Sequence, residues 1–256
     1  MILKHSIETM VDSLDQAQQS ATATDQLSTR FGLSLEDAYM VQQGLFKRRT
    51  DRGERIVGFK MGFTSVAKMK QMGVSDQIIG QLSDRMRIGA EGLSLSSFVH
   101  PRVEPEIAFR LGAPLSGDIS RDHALASIDA VAPAIEIIDS RYRDFKFSLA
   151  DVIADNSSSA AFAIGQWRDP GLDLSDAHMT MEVGGERFTG SSSAILGDPV
   201  LAIVSAARLV KEIGSRLEAG MIILAGAATE AVAIGAPGPV RLDVAALGSV
   251  EFTVNP

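Results

Sequence analysis

The feature that most constrains the fold of this chain is a series of short apolar runs that begins near residue 99. Clusters of Gly, Pro, Asp and Ser separate the runs, which is the pattern of β-strands joined by turns. Only two helical segments interrupt them, at 122–131 and 198–212, so strands and helices do not alternate as in a doubly wound sheet. The pattern predicts a mixed, mostly antiparallel β-roll. The predicted strands are 102–111, 132–139, 159–164, 179–183, 220–224, 240–244 and 249–254.

The N-terminal part is predicted to be helical. Apolar residues recur at helical spacing from Ile7 to Leu14, and a second helical pattern begins at Ser34 and continues to Phe46. A strand at 55–63 and a helix at 64–72, ending at Gly73, complete this part. The predicted fold is therefore α+β. We expect an N-terminal helical subdomain at 1–75 and a β-roll catalytic domain at 76–256, together forming one structural unit.

Composition excludes several classes of protein. The 256 residues include no cysteine, which excludes disulfide scaffolds, cysteine-ligated metal sites and a cysteine nucleophile. The formal net charge is −8, which argues against binding to a nucleic-acid backbone. No apolar stretch reaches the roughly 20 residues of a membrane helix, and the N-terminus lacks a signal-peptide pattern. We therefore expect a soluble cytoplasmic protein that binds neither nucleic acid nor membrane.

Three glutamates occupy positions where a carboxylate is unexpected. Glu104 and Glu106 lie two residues apart on a predicted strand, so their side chains point to the same face. Glu136 lies inside the apolar run VAPAIEII, where its neighbours should be buried. Because a buried carboxylate is costly without compensation of its charge, each of these acids requires a partner.

Two kinds of partner are open at this point. In the first interpretation each glutamate pairs with a nearby cation such as Arg102, Arg110, Arg141 or Arg143. In the second, the three acids converge on one divalent cation that prefers oxygen ligands. Mg²⁺ or Mn²⁺ suits an all-carboxylate set, whereas Zn²⁺ usually recruits histidine or cysteine. A divalent cation is the simplest way to offset the repulsion among three converged carboxylates, and we favour the second interpretation.

Lys60 places a cation inside an otherwise apolar strand, between the glycines of GFKMG. One interpretation is a lysine at a strand end whose ammonium group reaches solvent. In the other, the ammonium group faces a substrate carboxylate or enolate, and the glycines let the ligand approach the backbone. The chain contains no Walker loop and no G-x-S-x-G elbow, which favours a metal-assisted reaction on a small acid. A lone His100 is expected to be structural.

Four segments, in order, resemble the fumarylacetoacetate hydrolase superfamily. They are GFKMGFTSVAKMKQMGV, RVEPEIAF, AIEIIDSRYRDFKFSLADVIADNSSSAAF and LEAGMIILAGAATEAVAIGAPGPVRLDVAALGSVEF. The resemblance extends from about residue 30 to the C-terminus. Within the superfamily, the chain is most similar to the branch that holds the hydratases and decarboxylases of catechol meta-cleavage.

This resemblance implies a fold, a cofactor and a reaction. The fold would be the superfamily's mixed β-roll, and Glu104, Glu106 and Glu136 would bind Mg²⁺ or Mn²⁺. The strings IIDSRYRDFKF and AGAATEAV favour decarboxylation of 2-oxo-3-hexenedioate to 2-hydroxypenta-2,4-dienoate and CO2. Hydration of 2-hydroxypenta-2,4-dienoate or of a 2-oxo-heptenedioate at the same metal site is the alternative. A non-catalytic protein that keeps the fold is a third hypothesis.

Further roles follow from this resemblance and from the chemistry that it implies. Lys60 would be a second cation near the enolate or a carboxylate, while Asp84 and Asp155 would orient groups or transfer protons. Substrate contacts are expected from Ser65, Arg141, Asn156 and Ser158. The implied ligand is a small dicarboxylic 2-oxo acid. The implied assemblies are a homo-oligomer and a complex with the pathway hydratase.

Overall fold

The structure is a computed structural model that describes residues 2–65, 69 and 76–256. Most of the helix predicted at 64–72, and its end at Gly73, lie outside the described residues. None of the described helices offers a stretch both long and apolar enough to cross a membrane. The described α-helices are α1 (Ile2–Gln19), α2 (Leu27–Arg30), α3 (Leu35–Asp51), α4 (Arg121–Ala126), α5 (Leu149–Ala154) and α6 (Leu201–Glu212).

A seven-stranded sheet forms the larger of two sheets in the described chain. Its strands are β1 (Ile56–Gly62), β2 (Ile78–Ser83), β4 (Arg102–Leu111), β5 (Ile128–Ile138), β6 (Ser159–Ile164), β9 (Ile222–Leu224) and β10 (Val232–Ala233). The order is β2-β1-β9-β4-β5-β6, and β10 pairs with β4. Neighbouring strands are antiparallel except for β1 and β9, which are parallel. The strand β1 connects the predicted parts 1–75 and 76–256, because it pairs with strands from the second part.

The smaller sheet has five strands in the order β3-β12-β11-β7-β8. These are β3 (Leu93–Ser94), β7 (His178–Val183), β8 (Glu186–Ser191), β11 (Gly238–Val244) and β12 (Gly248–Asn255). One apolar core joins the two sheets, since Phe109 and Ile135 of the larger sheet cluster with Met181 and Leu242 of the smaller one. The predicted α+β fold, with mixed and mostly antiparallel sheets and N-terminal helices, is confirmed.

The N-terminal helices pack on the segment that follows β5. Ser34 caps α3 with a capping box whose acidic member is Asp37, so this helix begins at the predicted position. Buried residues of α1 and α3, including Leu14 and Val41, form a second cluster with Tyr142 and Ile153. This packing positions α5 and the turn after it, residues 155–158, against the larger sheet.

Two predicted helices differ from the structure at one end. The helix predicted at 122–131 was wrong in its second half, because α4 ends at Ala126 and β5 begins at Ile128. Ile128, Ala130 and Val131 are buried in the sheet, so strand packing outweighs the helical pattern there. The helix predicted from residue 198 begins at Leu201. Short strands without a clear alternating pattern, namely β2, β3, β8 and β10, were not predicted.

Candidate active site

Strand register brings the three glutamates together. In the β4–β5 pair Glu104 lies directly opposite Glu136, and Glu106 lies two residues along β4 on the same face. One carboxylate oxygen from each residue lies within 4.8 Å of the other two. Glu106 and Glu136 are fully buried and Glu104 is 9% exposed. The structure thus produces the convergence that the sequence predicted.

Neutral donors satisfy only part of this carboxylate cluster. The backbone N–H of Gly226 donates to Glu106 Oε2 at 2.8 Å, and Ser159 Oγ donates to Glu136 Oε1 at 2.8 Å. In the described part of the chain, Glu106 Oε1 is buried and accepts no hydrogen bond. Neither Glu106 nor Glu136 pairs there with an arginine. The interpretation that gave each acid its own cation therefore fails for Glu106 among the described residues, whereas Glu136 does pair with a lysine, Lys60.

The negative charge of Glu106 is poorly compensated by the described residues around it. Burial raises the pKa of Glu106 well above its usual range, and Glu136 raises it further, while Lys60 acts in the opposite direction. A buried oxygen without a donor, next to two further carboxylates, fits a hard divalent cation, which prefers oxygen ligands. No histidine or cysteine belongs to the cluster, so its donor atoms suit Mg²⁺ or Mn²⁺ better than Zn²⁺.

Lys60 belongs to the same cluster. Strand β1 buries this side chain, and its Nζ lies 3.0 Å from Glu136 Oε2 and donates to the Ser157 carbonyl at 3.1 Å. Burial lowers the pKa of Lys60, but Glu136, Glu104 and Glu106 outweigh this effect and raise it overall. Lys60 is therefore a charged ammonium group beside the acids. The alternative of a lysine that reaches solvent is wrong.

A left-handed turn at residues 156–158 supports Lys60. Asn156, Ser157 and Ser158 have φ values of 51°, 52° and 58°, a region that non-glycine residues seldom occupy. The Asn156 amide accepts from the backbone N–H of Gln81 at 2.8 Å and donates to the Gln81 carbonyl at 2.9 Å. Ser157 Oγ donates to the carbonyl of Ile79 at 2.9 Å. These bonds attach the turn to β2 and aim the Ser157 carbonyl at Lys60.

Gly80 permits this attachment, although no motif in the chain indicated its importance. A Cβ at this position would lie 2.6 Å from the Asn156 carbonyl oxygen and 3.1 Å from Lys60 Cδ. Gly226 has a similar function on the opposite side, where a Cβ would lie 2.0 Å from Thr64 Oγ1. The glycine at 226 also has a φ of 107° and donates its N–H to Glu106. Only a glycine leaves room at both positions.

We expect Gly80→Ala to disturb the site and the fold together. The added methyl group must displace either the turn or the stem of Lys60, at a cost of about 1–3 kcal/mol in the free energy of unfolding. Chemical denaturation measures this loss, and Gly32→Ala is the matched control because no atom lies within 4 Å of its Cβ position. Equal stability of the two variants would contradict the proposed crowding around Lys60.

Arg141 and Asp155 form a buried ion pair behind the turn. Arg141 Nε lies 2.5 Å from Asp155 Oδ1, and the backbone N–H of Arg141 donates to Asp155 Oδ2 at 2.8 Å. Burial raises the pKa of Asp155 to about 6, with Arg141 opposing the shift. Both side chains are at most 1% exposed and neither lines the cavity described below. The pair supports the turn. This structural role differs from the substrate contact predicted for Arg141 and from the orienting or proton-transfer role predicted for Asp155.

Asp84 and His100 also lie outside the cavity. Asp84 accepts from the backbone N–H and Nε of Arg55, at 3.0 and 2.9 Å, and these bonds lower its pKa. His100 packs edge-on against Phe145, and its Nε2 lies 3.0 Å from the Tyr142 carbonyl oxygen and 3.1 Å from the Phe145 backbone nitrogen. Its backbone N–H donates to the Asp139 carboxylate at 2.8 Å, so the histidine makes structural contacts. Asp84 was predicted to orient groups or transfer protons. Its described contacts are with Arg55 and not with the carboxylate cluster, so they do not support that role.

A cavity of about 690 Å³ opens beside the cluster. Lys60 and Glu104 line it, together with two of the predicted substrate contacts, Ser65 and Ser158. Ser158 Oγ is buried and has no hydrogen-bond partner in the described residues. Asn156, a third predicted contact, does not line the cavity, and its side-chain amide forms hydrogen bonds with the backbone of Gln81 in β2. Sequence reasoning missed the lining residues Thr64, Arg102, Phe145 and Ala227.

Proteins of known name are similar to nearly the whole chain, although no model of a protein family matched it. The chain is 51% identical over 251 residues to a 4-oxalocrotonate decarboxylase of Pseudomonas sp., covering 97% of this chain and 98% of that protein. It is 38% identical over 257 residues to a 2-keto-4-pentenoate hydratase of Paraburkholderia xenovorans LB400, with coverages of 97% and 95%. The chain belongs to the hydratase/decarboxylase family.

Solved structures agree with this membership. The 4-oxalocrotonate decarboxylase from Pseudomonas putida G7, complexed with magnesium and adipate, superposes with a TM-score of 0.94 at 35% identity, and 98% of each chain is covered. The fumarylpyruvate hydrolase of Pseudomonas aeruginosa matches 77% of this chain and 88% of its own length, with a TM-score of 0.61 at 15% identity. This second match shows a shared fold alone.

Proposed function

We propose that this chain is a metal-dependent decarboxylase that converts 2-oxo-3-hexenedioate, also called 4-oxalocrotonate, to 2-hydroxypenta-2,4-dienoate and CO2. The observation that carries the proposal is the cross-strand pairing of Glu104 with Glu136, which gathers three carboxylates beside a cavity of substrate size. The 51% identity to a named 4-oxalocrotonate decarboxylase supports the choice of reaction.

Glu104, Glu106 and Glu136 would hold the divalent cation. When bound, Mg²⁺ or Mn²⁺ supplies Lewis-acid stabilisation of the negative charge that develops on the 2-oxo group. The protein fixes the three acids on two hydrogen-bonded strands. Gly226 and Ser159 hold individual carboxylate oxygens in place. The ligands are therefore oriented before a substrate arrives, which lowers the cost of reorganisation during the reaction.

Lys60 would stabilise the enolate charge from the protein side. Its ammonium group lines the cavity and is held by Glu136 and by the Ser157 carbonyl. Loss of the distal carboxylate leaves an electron pair that moves through the C3–C4 double bond to the oxygen at C2. A fixed positive charge beside that oxygen lowers the barrier, and it acts more strongly in a poorly solvated cavity than in water.

The cavity walls would exclude water from this step. Apolar side chains contribute most of the lining, which includes Phe63, Ile78, Ile138, Phe147 and Val152. Ser158 Oγ, which lacks a partner in the described residues, is available to donate to a substrate oxygen. Ser65 lines the same cavity and remains a proposed substrate contact. These two hydroxyl groups would orient the 2-oxo acid toward Lys60.

Removal of the metal tests the proposed function directly. We expect 4-oxalocrotonate to release CO2 in the presence of the protein and Mg²⁺, and we expect a chelator to reduce this rate to that of Mg²⁺ alone. Added Mg²⁺ or Mn²⁺ should restore the rate. The measurement is CO2 evolution together with the loss of substrate absorbance. A rate that the chelator leaves unchanged would contradict a metal-dependent reaction.

Hydration is the second candidate, because a 2-keto-4-pentenoate hydratase is 38% identical over nearly the whole chain. The same carboxylates and Lys60 can stabilise an enolate formed in either reaction. Parallel assays on 4-oxalocrotonate and 2-hydroxypenta-2,4-dienoate separate the two functions. Gas evolution from the first substrate supports decarboxylation, whereas consumption of the dienol without gas supports hydration.

We also propose assemblies on the basis of the family resemblance. The chain would form a homo-oligomer in the cytoplasm and associate with the pathway hydratase, which would receive the short-lived dienol product. Light scattering on the purified protein measures the first association. Co-purification with the hydratase measures the second, and a protein that stays monomeric and elutes alone would contradict both.

A further inference from the structure

Arg102 lines the cavity, and the proposed mechanism gives it no role. It is the first residue of β4 and lies two positions before Glu104, on the same face of the strand. Its side chain lines the cavity that also contains Lys60 and Glu104. The strand therefore places a guanidinium group and the carboxylate cluster along one wall of the substrate space.

The guanidinium group of Arg102 is positioned but not neutralised. Its Cζ lies 4.1 Å from the centroid of the Phe145 ring, which is a cation–π contact. In the described part of the chain, no carboxylate lies at ion-pair distance from it. By contrast, Lys60 is paired with Glu136, and the other described lysine of the cavity, Lys146, is 74% exposed. The ring fixes the guanidinium plane and leaves its N–H groups available to an anion.

The spacing along β4 suits a six-carbon dicarboxylic acid. Arg102 and Glu104 are separated by two residues, or about 6.6 Å of an extended strand. The two carboxylate carbons of an extended six-carbon diacid are about 6 Å apart, given C–C bonds of about 1.5 Å. Arg102 and Glu104 line the same cavity, so a substrate whose 2-oxo acid end lies at the glutamates has a guanidinium group on the same wall for its other carboxylate.

We infer that Arg102, held by Phe145, binds the distal carboxylate of the substrate and selects diacids over monoacids. The inference rests on the proposed function, because it takes the 2-oxo acid end to lie at the glutamates. The guanidinium fork matches a carboxylate in two parallel hydrogen bonds. Decarboxylation removes this carboxylate charge, so Arg102 contributes to binding and choice of substrate rather than to the charge that develops at the 2-oxo group.

A matched pair of unreactive ligands tests the inference without turnover. 2-Oxoadipate and 2-oxohexanoate differ at carbon 6, where the first carries a carboxylate and the second a methyl group. With Mg²⁺ present, calorimetry on the native protein should show 2-oxoadipate binding about 10- to 100-fold more tightly. Arg102→Met should remove this preference, with the affinity for 2-oxohexanoate unchanged within about 3-fold. Phe145→Leu should reduce the preference part-way, because it frees the guanidinium group to leave the cavity wall.

Lys146→Met is the control for charge alone. It removes an exposed cation from the same cavity and should keep the preference for 2-oxoadipate. Loss of the preference in Lys146→Met but not in Arg102→Met would overturn the assignment, and so would an equal loss of affinity for both ligands in Arg102→Met. Since no product forms, these results stay interpretable even if the protein proves to be a hydratase. A decarboxylase that shows no preference would leave the proposed function intact and refute this inference.

Discussion

Glu106→Gln should abolish metal-dependent turnover while leaving the metal-free protein at least as stable as the native one. Glutamine keeps the shape of the side chain, and its carbonyl oxygen can still accept from the N–H of Gly226, which lies 2.8 Å from Glu106 Oε2. The variant loses one of three converging charges. We expect turnover to fall by at least about 10²–10³-fold, as when a preorganised electrostatic group is removed.

The stability of this variant separates a metal ligand from a purely structural acid. Burial and repulsion from Glu136 raise the pKa of Glu106, which shows that its charge is unfavourable in the metal-free cluster. Removing that charge relieves repulsion, so the midpoint of thermal unfolding should stay constant or rise without metal. The additional stabilisation by Mg²⁺, about 2.7 kcal/mol at 100 times its Kd for the native protein, should disappear.

Glu230→Gln is the matched control for this prediction. Glu230 is an exposed acid at the edge of the same cavity, so it carries the same charge without belonging to the cluster. We expect the control to keep both turnover and stabilisation by Mg²⁺. If Glu106→Gln retained a metal-induced shift in thermal unfolding equal to that of the control, Glu106 would not be a ligand.

Lys60→Met should have the opposite effect on the metal-free protein. This change removes the ammonium group that lies 3.0 Å from Glu136 and leaves that buried carboxylate without its ion-pair partner. Breaking a buried ion pair in this way costs about 3–5 kcal/mol of unfolding free energy. Turnover should fall by about 100-fold or more, because the enolate loses a fixed positive charge.

Added Mg²⁺ should recover much of the stability of Lys60→Met but not its turnover. The metal compensates the carboxylates, whereas it cannot replace the ammonium group that the protein holds beside them at the cavity. Denaturation with and without Mg²⁺, together with CO2 assays, measures both effects. Lys146→Met is the control, since its side chain is 74% exposed and pairs with Asp144 at 3.9 Å. Full recovery of turnover by Mg²⁺ would show that Lys60 serves only to balance the acids.

Glu106→Gln and Lys60→Met are expected to change the stability of the metal-free protein in opposite directions, and both effects follow from one physical feature of the site. Glu106 is buried beside two further acids, and one of its oxygens has no donor among the described residues, so its charge is unfavourable in the metal-free cluster. Removing the Glu106 charge therefore reduces the repulsion among the carboxylates, whereas removing the lysine increases it. A site built from separate arginine–glutamate pairs would lose stability in both cases.

The alternation of side chains along each strand explains which parts of the fold and the site could be predicted from the sequence. Strands β4 and β6 lie at the predicted residues because each is a buried run bounded by turn residues. The two-residue periodicity of a strand is sufficient by itself to place Glu104 and Glu106 on one face. The pairing with Glu136 required the β4–β5 register, which the sequence does not specify and the resemblance only implied.

Contacts between residues distant in sequence determine the roles that could not be predicted from the sequence alone. Asn156 and Arg141 were expected to contact the substrate, yet in the structure their side chains bind Gln81 and Asp155. Gly80 belongs to a strand whose Gly-Gln centre interrupts its apolar pattern, so its contact with residue 156 was not foreseen. In each case the partner that determines the role is distant in sequence or lies across the turn.

Crystals soaked in Mn²⁺ test the central claim most directly, because anomalous scattering locates the ion independently of any activity. We predict one strong peak among the side chains of Glu104, Glu106 and Glu136, at coordination distance from their oxygens and absent in Glu106→Gln crystals. A well-occupied peak at another place in the molecule, with these three acids bound only to protein groups, would contradict it.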